Sequence, residues 1–423
     1  MSTAKEPHDN CPPVEVLLWK QATLSWHQQT VSSSKLALPE TDQPPHILSK
    51  GSKVIVVFAN ADTVRECPTC HHSFTNAFHI PQLWWTPYSR NSNGYFGCET
   101  ERDDDGNTTA LNAWSRFLVK QLTEENKHEW YKFNIFTRWI ASSQQTIVLV
   151  FDPVKPLRER FPSPILDNPD QDRLSDPFWI HARLLDDLVR LQDTAVWTIR
   201  THIRTAEKGR KASGKPSPNY GLFHDLARHA IHVSETLAVS LKTIASITQH
   251  HNAFMAEADE AKALDRNAFL QVHERLLWYE HMIDSLRLRA SSNKERLMNE
   301  IQLAFNTVAQ YDSGISVQIG RATQSDSAAM KTIAFVTMAF LPATFISAVF
   351  STSFFNYDAD SDRWSVSGKF WMYWVFAIPI TLATSGLWFV WQKAYQPQLM
   401  GDDERSAKED VKLLEKSTSD ANV

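Results

Sequence analysis

Two stretches near the C-terminal end of the chain contain only apolar and hydroxyl side chains. The apolar centre of the first is Ile333–Ser353, and the second covers Phe370–Trp391. About 20 such residues allow a helix to cross the hydrocarbon core of a bilayer. One stretch alone also suits a buried helix of a globular domain. Two in succession with aromatic ends favour transmembrane helices, and these aromatics are Trp364, Trp371, Tyr373 and Trp374 at one end and Trp388, Trp391 and Tyr395 at the other.

Short β-branched runs in the first part of the chain predict strands. They are Val14–Trp19, Val54–Phe58 and Thr146–Phe151. The stretch Thr108–Leu122 is predicted to be a helix. Proline-rich segments separate these elements. The pattern predicts an α/β domain over roughly residues 12–170.

From Ser175 onwards the pattern predicts long helices. Asp176 is the predicted N-cap of a helix that reaches Ala206. A second helix is expected from about Tyr220 to Ala258. A third begins near Ala261 and continues into the first apolar stretch, because no helix stop precedes that stretch. Its apolar stripe has the alternating three- and four-residue spacing of one helical face and needs neighbouring helices to cover it; the stripe consists of Leu276, Tyr279, Ile283, Leu286, Ala290, Leu297, Ile301, Ala304, Val308, Tyr311 and Ile315.

These patterns predict four regions along the chain. They are an α/β domain at 1–170, a helical domain with a stalk helix at 171–330, two transmembrane helices at 331–395, and a disordered tail at 396–423. The fold class is therefore an α/β domain followed by long helices and two C-terminal membrane spans. The N-terminus has no apolar signal-peptide core, and Lys331 and Lys393 flank the spans. Both features favour cytosolic termini.

The net charge and the apolar stretches of the chain indicate which kinds of partner it binds. Its formal net charge is −5, which argues against nucleic acid as the main partner. The lipid bilayer is the expected surrounding of the apolar stretches. We find no phosphate-binding glycine loop, nucleophile elbow or paired-carboxylate site in the sequence, and therefore expect neither an enzyme nor a covalently bound cofactor.

The first apolar stretch has two unlike helical faces. Met330, Ala334, Thr337, Leu341, Thr344, Ala348 and Thr352 lie on one face, and the bulkier Phe335, Ala339, Ile346 and Phe350 lie on the opposite one. Small and hydroxyl residues suit close packing between helices, and they equally suit a polar path. Two helices cannot enclose such a path, so a pore requires several copies of the chain.

Two further groups are candidate cation sites. Asp358, Asp360 and Asp362 lie in the loop between the spans and would attract cations to a pore mouth, or would be a solvated loop. Cys67 and Cys70 have the spacing of a thiolate metal pair, which His71, His72 or His79 would complete. The alternative is a loop with unpaired cysteines, because this spacing alone is common.

The region from about residue 297 to 395 resembles the CorA magnesium-channel superfamily, and most closely its fungal CorA-like branch. The first span of that family reads approximately MPLTFIAGIYGMNF, and this chain matches it at Leu341, Pro342, Thr344, Phe345, Ile346 and Phe354. The resemblance implies a homopentamer that transports divalent cations, with Mg²⁺ as the expected ion, through a pore lined by the first span. It places Met330, Ile333, Leu341 and Thr344 on the pore-lining positions.

The chain departs from the family at the pore mouth. Ser351-Thr352-Ser353 occupies the position of the Gly-Met-Asn signature. Two hypotheses therefore stand: a divalent-cation channel, and a transport-inactive, membrane-anchored scaffold or signalling subunit. The pore-like face, with Thr337 and Ala348 beside the matched positions, favours the channel, and the altered signature favours the scaffold.

Overall fold

The computed structural model of the chain describes residues 11–20, 23, 25–36, 52–123, 127–160, 174–210, 214–259 and 266–394. The predicted tail and the predicted boundary at residues 170 and 171 lie outside these ranges. The chain divides into two compact units, residues 1–308 and 309–423. The other predicted domain boundaries remain predictions.

The first unit is built on a seven-stranded sheet in the order β2-β1-β3-β7-β6-β5-β4. Neighbouring strands are antiparallel except for the parallel pair β3 and β7. The strands are β1 Pro13–Lys20, β2 Ser25–Ser32, β3 Ser52–Ala59, β4 Gly94–Arg102, β5 Thr108–Leu122, β6 His128–Ile140 and β7 Gln145–Phe151. The three runs predicted as strands are confirmed as β1, β3 and β7.

Short helices cover one face of the sheet. They are α1 Ala61–Glu66, α2 Pro68–Phe78 and α3 Pro87–Asn91, of which α2 contributes most to a core that includes Phe74, Phe78 and Trp84. The short helix α4 Lys155–Arg160 instead contributes Leu157 to the core on the opposite face. Asn60 caps α1 by accepting the backbone N–H of Thr63 at 2.8 Å. Pro68 occupies the start of α2, where its missing N–H costs no helix hydrogen bond.

Long helices cover the opposite face. They are α5 Trp179–Lys208, α6 Tyr220–Asp259 and the first part of α7 Arg266–Phe354. Their apolar stripes and the inner face of the sheet form a second, larger core. Arg296 of α7 pairs with Glu207 of α5 at 2.8 Å, and Asn293 donates to the Val196 carbonyl at 3.2 Å. The predicted α/β domain with long helices is confirmed.

The predicted helix at Thr108–Leu122 is wrong, since this segment forms β5, the longest strand described. Both faces of β5 are covered, so almost every residue of the strand is buried and the period-two alternation of a half-exposed strand is lost. The predicted N-cap Asp176 is also displaced, since α5 begins at Trp179. The Asp176 carboxylate instead accepts the N–H of Phe178 and lies 2.8 Å from His251 Nε2, with both side chains fully buried.

The predicted stalk helix is confirmed as α7, which continues without interruption to Phe354. Its stripe is buried from Leu276 to Leu297 except for the half-buried Tyr279, and it is half-buried from Ile301 to Val308. Tyr311 and Ile315, further along the same stripe, are exposed. The need for neighbouring helices therefore stays a prediction for the part of α7 beyond residue 308.

Candidate ion pathway

The second unit is a helical hairpin made of the end of α7 and of α8 Trp371–Ala394, joined by the strands β8 Phe355–Asp358 and β9 Arg363–Val366. Both helices are long and apolar enough to cross a membrane. The rings of Phe335 and Trp388 lie 5.1 Å apart. The Tyr373 hydroxyl donates to the Ala343 carbonyl at 3.4 Å. These contacts fix which face of α7 packs on α8.

The predicted pore-lining face is the one that α8 leaves uncovered. Met330, Ile333, Thr337, Leu341, Thr344 and Ala348 are all exposed. Leu341 is 61% exposed, whereas Ile346 on the opposite face is 7% exposed. One face of α7 is thus occupied within the chain, and the other is free to line a path or to pack against a second copy.

The threonine hydroxyls on this face bond to their own helix. Thr337 donates to the Ile333 carbonyl at 2.8 Å. Thr344 donates to the carbonyls of Phe340 at 3.0 Å and Leu341 at 2.9 Å. A hydroxyl whose proton is committed to the backbone keeps lone pairs that accept hydrogen bonds. Water molecules bound to a cation point their hydrogen atoms outwards, so the threonine oxygens can accept hydrogen bonds from them.

The altered signature lies in the last turn of α7. The Ser351 hydroxyl donates to the Ala348 carbonyl at 3.3 Å. The turn ends at buried Phe354, whose carbonyl accepts the N–H of Ser367. The backbone of Ser351-Thr352-Ser353 is therefore helical. A longer asparagine side chain is replaced here by short hydroxyl side chains.

The three loop aspartates meet in the turn between β8 and β9, a hairpin that sequence reasoning treated as a plain loop. Asp358 accepts the N–H of Asp360 at 3.1 Å and the hydroxyl of Ser361 at 2.7 Å, and these hydrogen bonds hold the pKa of Asp358 below its usual range. The Tyr357 hydroxyl donates to Asp362 at 2.7 Å. Two of the three carboxylates therefore also stabilise the turn, while all three stay exposed.

The structure brings Cys67 and Cys70 together with a third cysteine, Cys11, in the first unit. The three Sγ atoms lie within 4.8 Å of one another. The histidines predicted to complete this site contact other residues. The His72 ring lies 3.0 Å from the Asn76 amide, the His71 ring packs against the Trp85 ring, and His79 lies 3.3 Å from the Glu101 carboxylate. No spacing in the sequence could reveal Cys11, because it lies 56 residues before Cys67.

Comparison with known proteins identifies the family. A model described as CorA-like Mg²⁺ transporter protein matches residues 139–393, more than half of the chain. The chain belongs to this family. The resemblance drawn from the sequence is thus confirmed, as is the prediction that the chain is not an enzyme, since members of the family are transporters. Its two apolar helices and its family fit a membrane protein.

One curated relative is the Notoamide biosynthesis cluster protein M' of Aspergillus versicolor, 31% identical over 292 residues. The match covers 64% of this chain and 62% of the relative, less than two thirds of its length. Similar solved structures include full-length CmaX (TM-score 0.40, 13% identity, 90% of this chain and 96% of that one) and the ZntB cytoplasmic domain of Vibrio parahaemolyticus (0.34, 11%, 66% and 97%). A third is the soluble domain of CorA from Methanocaldococcus jannaschii (0.36, 8%, 69% and 96%).

Proposed function

We propose that the chain assembles into an oligomeric channel for divalent cations, with Mg²⁺ as the transported ion. The observation that carries the proposal is the division of α7 into two faces. Ile346 packs within the hairpin, while Leu341 and Thr344 on the other side are exposed. In a symmetric assembly, this exposed face of each copy surrounds a central path.

The chemistry of the face suits an ion that keeps its water shell. Mg²⁺ loses water reluctantly and is held in proteins with several waters retained. The hydroxyl oxygens of Thr337 and Thr344 accept hydrogen bonds from such waters. Asp358, Asp360 and Asp362, repeated in each copy, concentrate cations at the mouth of the path.

A second candidate function follows from Ser351-Thr352-Ser353. A serine hydroxyl reaches a shorter distance than an asparagine amide and offers no carbonyl. On this alternative, the chain is a transport-inactive scaffold held in the membrane by its two helices. The name of the Aspergillus relative refers to a biosynthesis cluster and to no transport activity.

Cation uptake by liposomes that contain the purified full-length protein distinguishes the two candidate functions. We expect a Mg²⁺ gradient to produce an internal Mg²⁺ signal in proteoliposomes and not in protein-free vesicles. The same vesicles tested with Ca²⁺, Zn²⁺ and K⁺ report the selectivity. If no cation enters vesicles that contain correctly assembled protein, the scaffold is the better description.

The oligomeric state is a direct test of the assembly. We expect a homopentamer, because the uncovered face of α7 and its exposed stripe at Tyr311 and Ile315 need partners. Native mass spectrometry or light scattering in mild detergent measures the mass of the complex. A monomer across a range of protein and detergent concentrations would contradict the proposal.

The topology is tested by labelling the turn between the spans. Both termini are proposed to face the cytosol, so the β8–β9 turn faces the opposite side. Asp360→Cys adds a thiol at an exposed position, and we expect an impermeant maleimide to label it in intact cells. Cys98 of the first unit provides the control, since it should be labelled only after permeabilisation and denaturation. If the thiol of Asp360→Cys is also labelled only after permeabilisation, the turn lies on the cytosolic side and the proposed topology is wrong.

A further inference from the structure

Three of the four cysteines of the chain meet at one point of the first unit. Cys11 lies just before β1, Cys67 is the N-cap of α2, and Cys70 lies in the first turn of that helix. The Sγ atoms of Cys11 and Cys67 are 4.0 Å apart, and all three lie within 4.8 Å of one another. Cys98 belongs to β4 and packs in the core on the other face of the sheet.

The local sequence determines this geometry. Pro68 starts α2 directly after Cys67, so the two intervening residues Pro68 and Thr69 place Cys67 and Cys70 on the same side of the first helical turn. Cys11 lies just before β1 and shares one core with Cys70 and Phe74 of α2. The N–H of Ser33 donates to the Pro12 carbonyl at 3.2 Å, which ties the segment at Cys11 to the end of β2.

The cluster is buried except on one side, that of Cys67. Cys70 is completely buried and Cys11 nearly so. Both belong to the core that contains Ile55 and Phe74. Cys67 is only partly buried, so a small ion reaches the three sulfur atoms past its side chain. An odd number of thiols also means that any one disulfide leaves a third thiol unpaired.

We propose that Cys11, Cys67 and Cys70 together bind one Zn²⁺ ion as three thiolates, with a water molecule as the fourth ligand on the open side. Zn–S bonds of about 2.3 Å in a tetrahedron separate the sulfur atoms by about 3.8 Å. The sulfur atoms therefore need to approach by no more than about 1 Å. In binding, Zn²⁺ replaces the thiol protons, which pass to solvent.

The site differs in chemistry from the ion pathway. Thiolates select soft or borderline cations and bind Mg²⁺ poorly. The proposed ion also joins two segments that are 56 residues apart, the entry to β1 and the start of α2. Zinc at this point would tie the first strand of the sheet to the helix that covers it. It would thus stabilise the first unit whether or not the second unit conducts ions.

Cadmium is the spectroscopic probe for this site, because its thiolate complexes absorb in the ultraviolet. We titrate Cd²⁺ into reduced, metal-free, full-length protein in detergent, with Mg²⁺ in excess throughout to occupy oxygen sites. The expected result is an absorbance increase that ends at one Cd²⁺ per chain and is reversed by Zn²⁺. Cys98→Ser, the matched control, should behave like the natural chain.

Cys67→Ser is the decisive variant, because Cys67 is the least buried of the three and its replacement disturbs the core least. We expect it to weaken Cd²⁺ and Zn²⁺ binding by at least about 100-fold. Zn²⁺ should raise the thermal midpoint of the natural chain and of Cys98→Ser, but not that of Cys67→Ser. Cys11→Ala serves as a second variant, and circular dichroism checks that both are folded.

Two outcomes overturn the proposal. One is a natural chain with four titratable thiols that gives no cadmium band, which would make the cluster ordinary core packing. The other is a band of equal strength and affinity in the natural chain and in folded Cys67→Ser, which would place the ion elsewhere. Loss of the band in both Cys67→Ser and Cys11→Ala, with retention in Cys98→Ser, supports the proposal by identifying Cys67 and Cys11 as ligands of the bound ion.

Discussion

Replacing Leu341 by asparagine is expected to raise the basal cation flux of the reconstituted protein. Leu341 is exposed on the face that we propose lines the path, between Thr337 and Thr344. A ring of leucines excludes water from a narrow pore, and an amide at the same position would hold it. A barrier lowered by about 1.4 kcal/mol gives a roughly tenfold higher rate. Fluorescence of an internal Mg²⁺ dye in proteoliposomes measures the effect.

Two matched variants control this experiment. Leu341→Met keeps an apolar side chain of similar volume at the same position and should conduct like the natural chain. Phe335→Leu changes the opposite face, where the ring contacts Trp388, and should not raise the flux. If Leu341→Asn assembles and reaches the vesicles but passes no more ions than the natural chain, α7 does not line the path. The scaffold function would then be favoured.

The membrane hairpin could be predicted from sequence because its signal is local. An uninterrupted run of uncharged residues sets the length of each apolar span, and the helical period sorts Leu341 and Ile346 onto opposite faces. The structure agrees by packing Ile346 and leaving Leu341 exposed. The assembly could not be predicted in the same way. The path that we propose requires other copies of the chain, and no residue pattern specifies their number.

The sheet was harder to predict for a physical reason. The strand β5 is covered by long helices on one face and by α2 and its neighbours on the other. Its residues are therefore buried on both sides, including polar ones such as Asn112 and Arg116. Apolar residues then recur at spacings that also fit a helix. Pairing with β4 and β6, the strands directly before and after β5 in the chain, decides the conformation.

Long-range contacts also explain what was missed at the candidate sites. The Cys67 and Cys70 pair is visible in the sequence, but Cys11 joins it only through the fold. The same holds for Asp176, which was predicted as a helix N-cap. It is buried against His251, and burial raises the pKa of its carboxyl group, although the bond to His251 acts in the opposite direction. These residues meet their partners only in the folded chain, so the sequence around each residue does not show the contact.

Buried histidines are expected to make the first unit sensitive to acid. His181 of α5 is buried among Phe96 and Phe178, and its Nε2 lies 3.3 Å from the Thr137 hydroxyl. Burial lowers the pKa of His181 from 6.5 to about 4. The unfolded chain therefore binds a proton at this residue at a higher pH than the folded chain does. The free energy of unfolding must then fall as the pH falls below 6.5.

The size of the effect follows from the shift of the pKa. Between pH 7.5 and pH 5.0, His181 alone should reduce the free energy of unfolding by about 2 kcal/mol. His181→Gln removes the titrating group and keeps a polar atom near Thr137, so its stability should depend less on pH by about that amount. His224→Gln, at an exposed position of α6, is the control and should keep the dependence of the natural chain.

Urea titrations of the full-length protein in detergent, followed by tryptophan fluorescence at both pH values, measure the difference. Comparing variants removes the contribution of every other titrating group, including Glu101, whose pKa is lowered to about 2 mainly by its hydrogen bonds with Arg138. That carboxylate loses its stabilising contribution only below about pH 4.5, outside the chosen window. If His181→Gln and the natural chain lose the same stability at pH 5.0, protonation of His181 is not what destabilises the first unit in acid. The pKa of His181 would then have to be the same in the folded and the unfolded chain, although the ring is buried against Phe96 and Phe178.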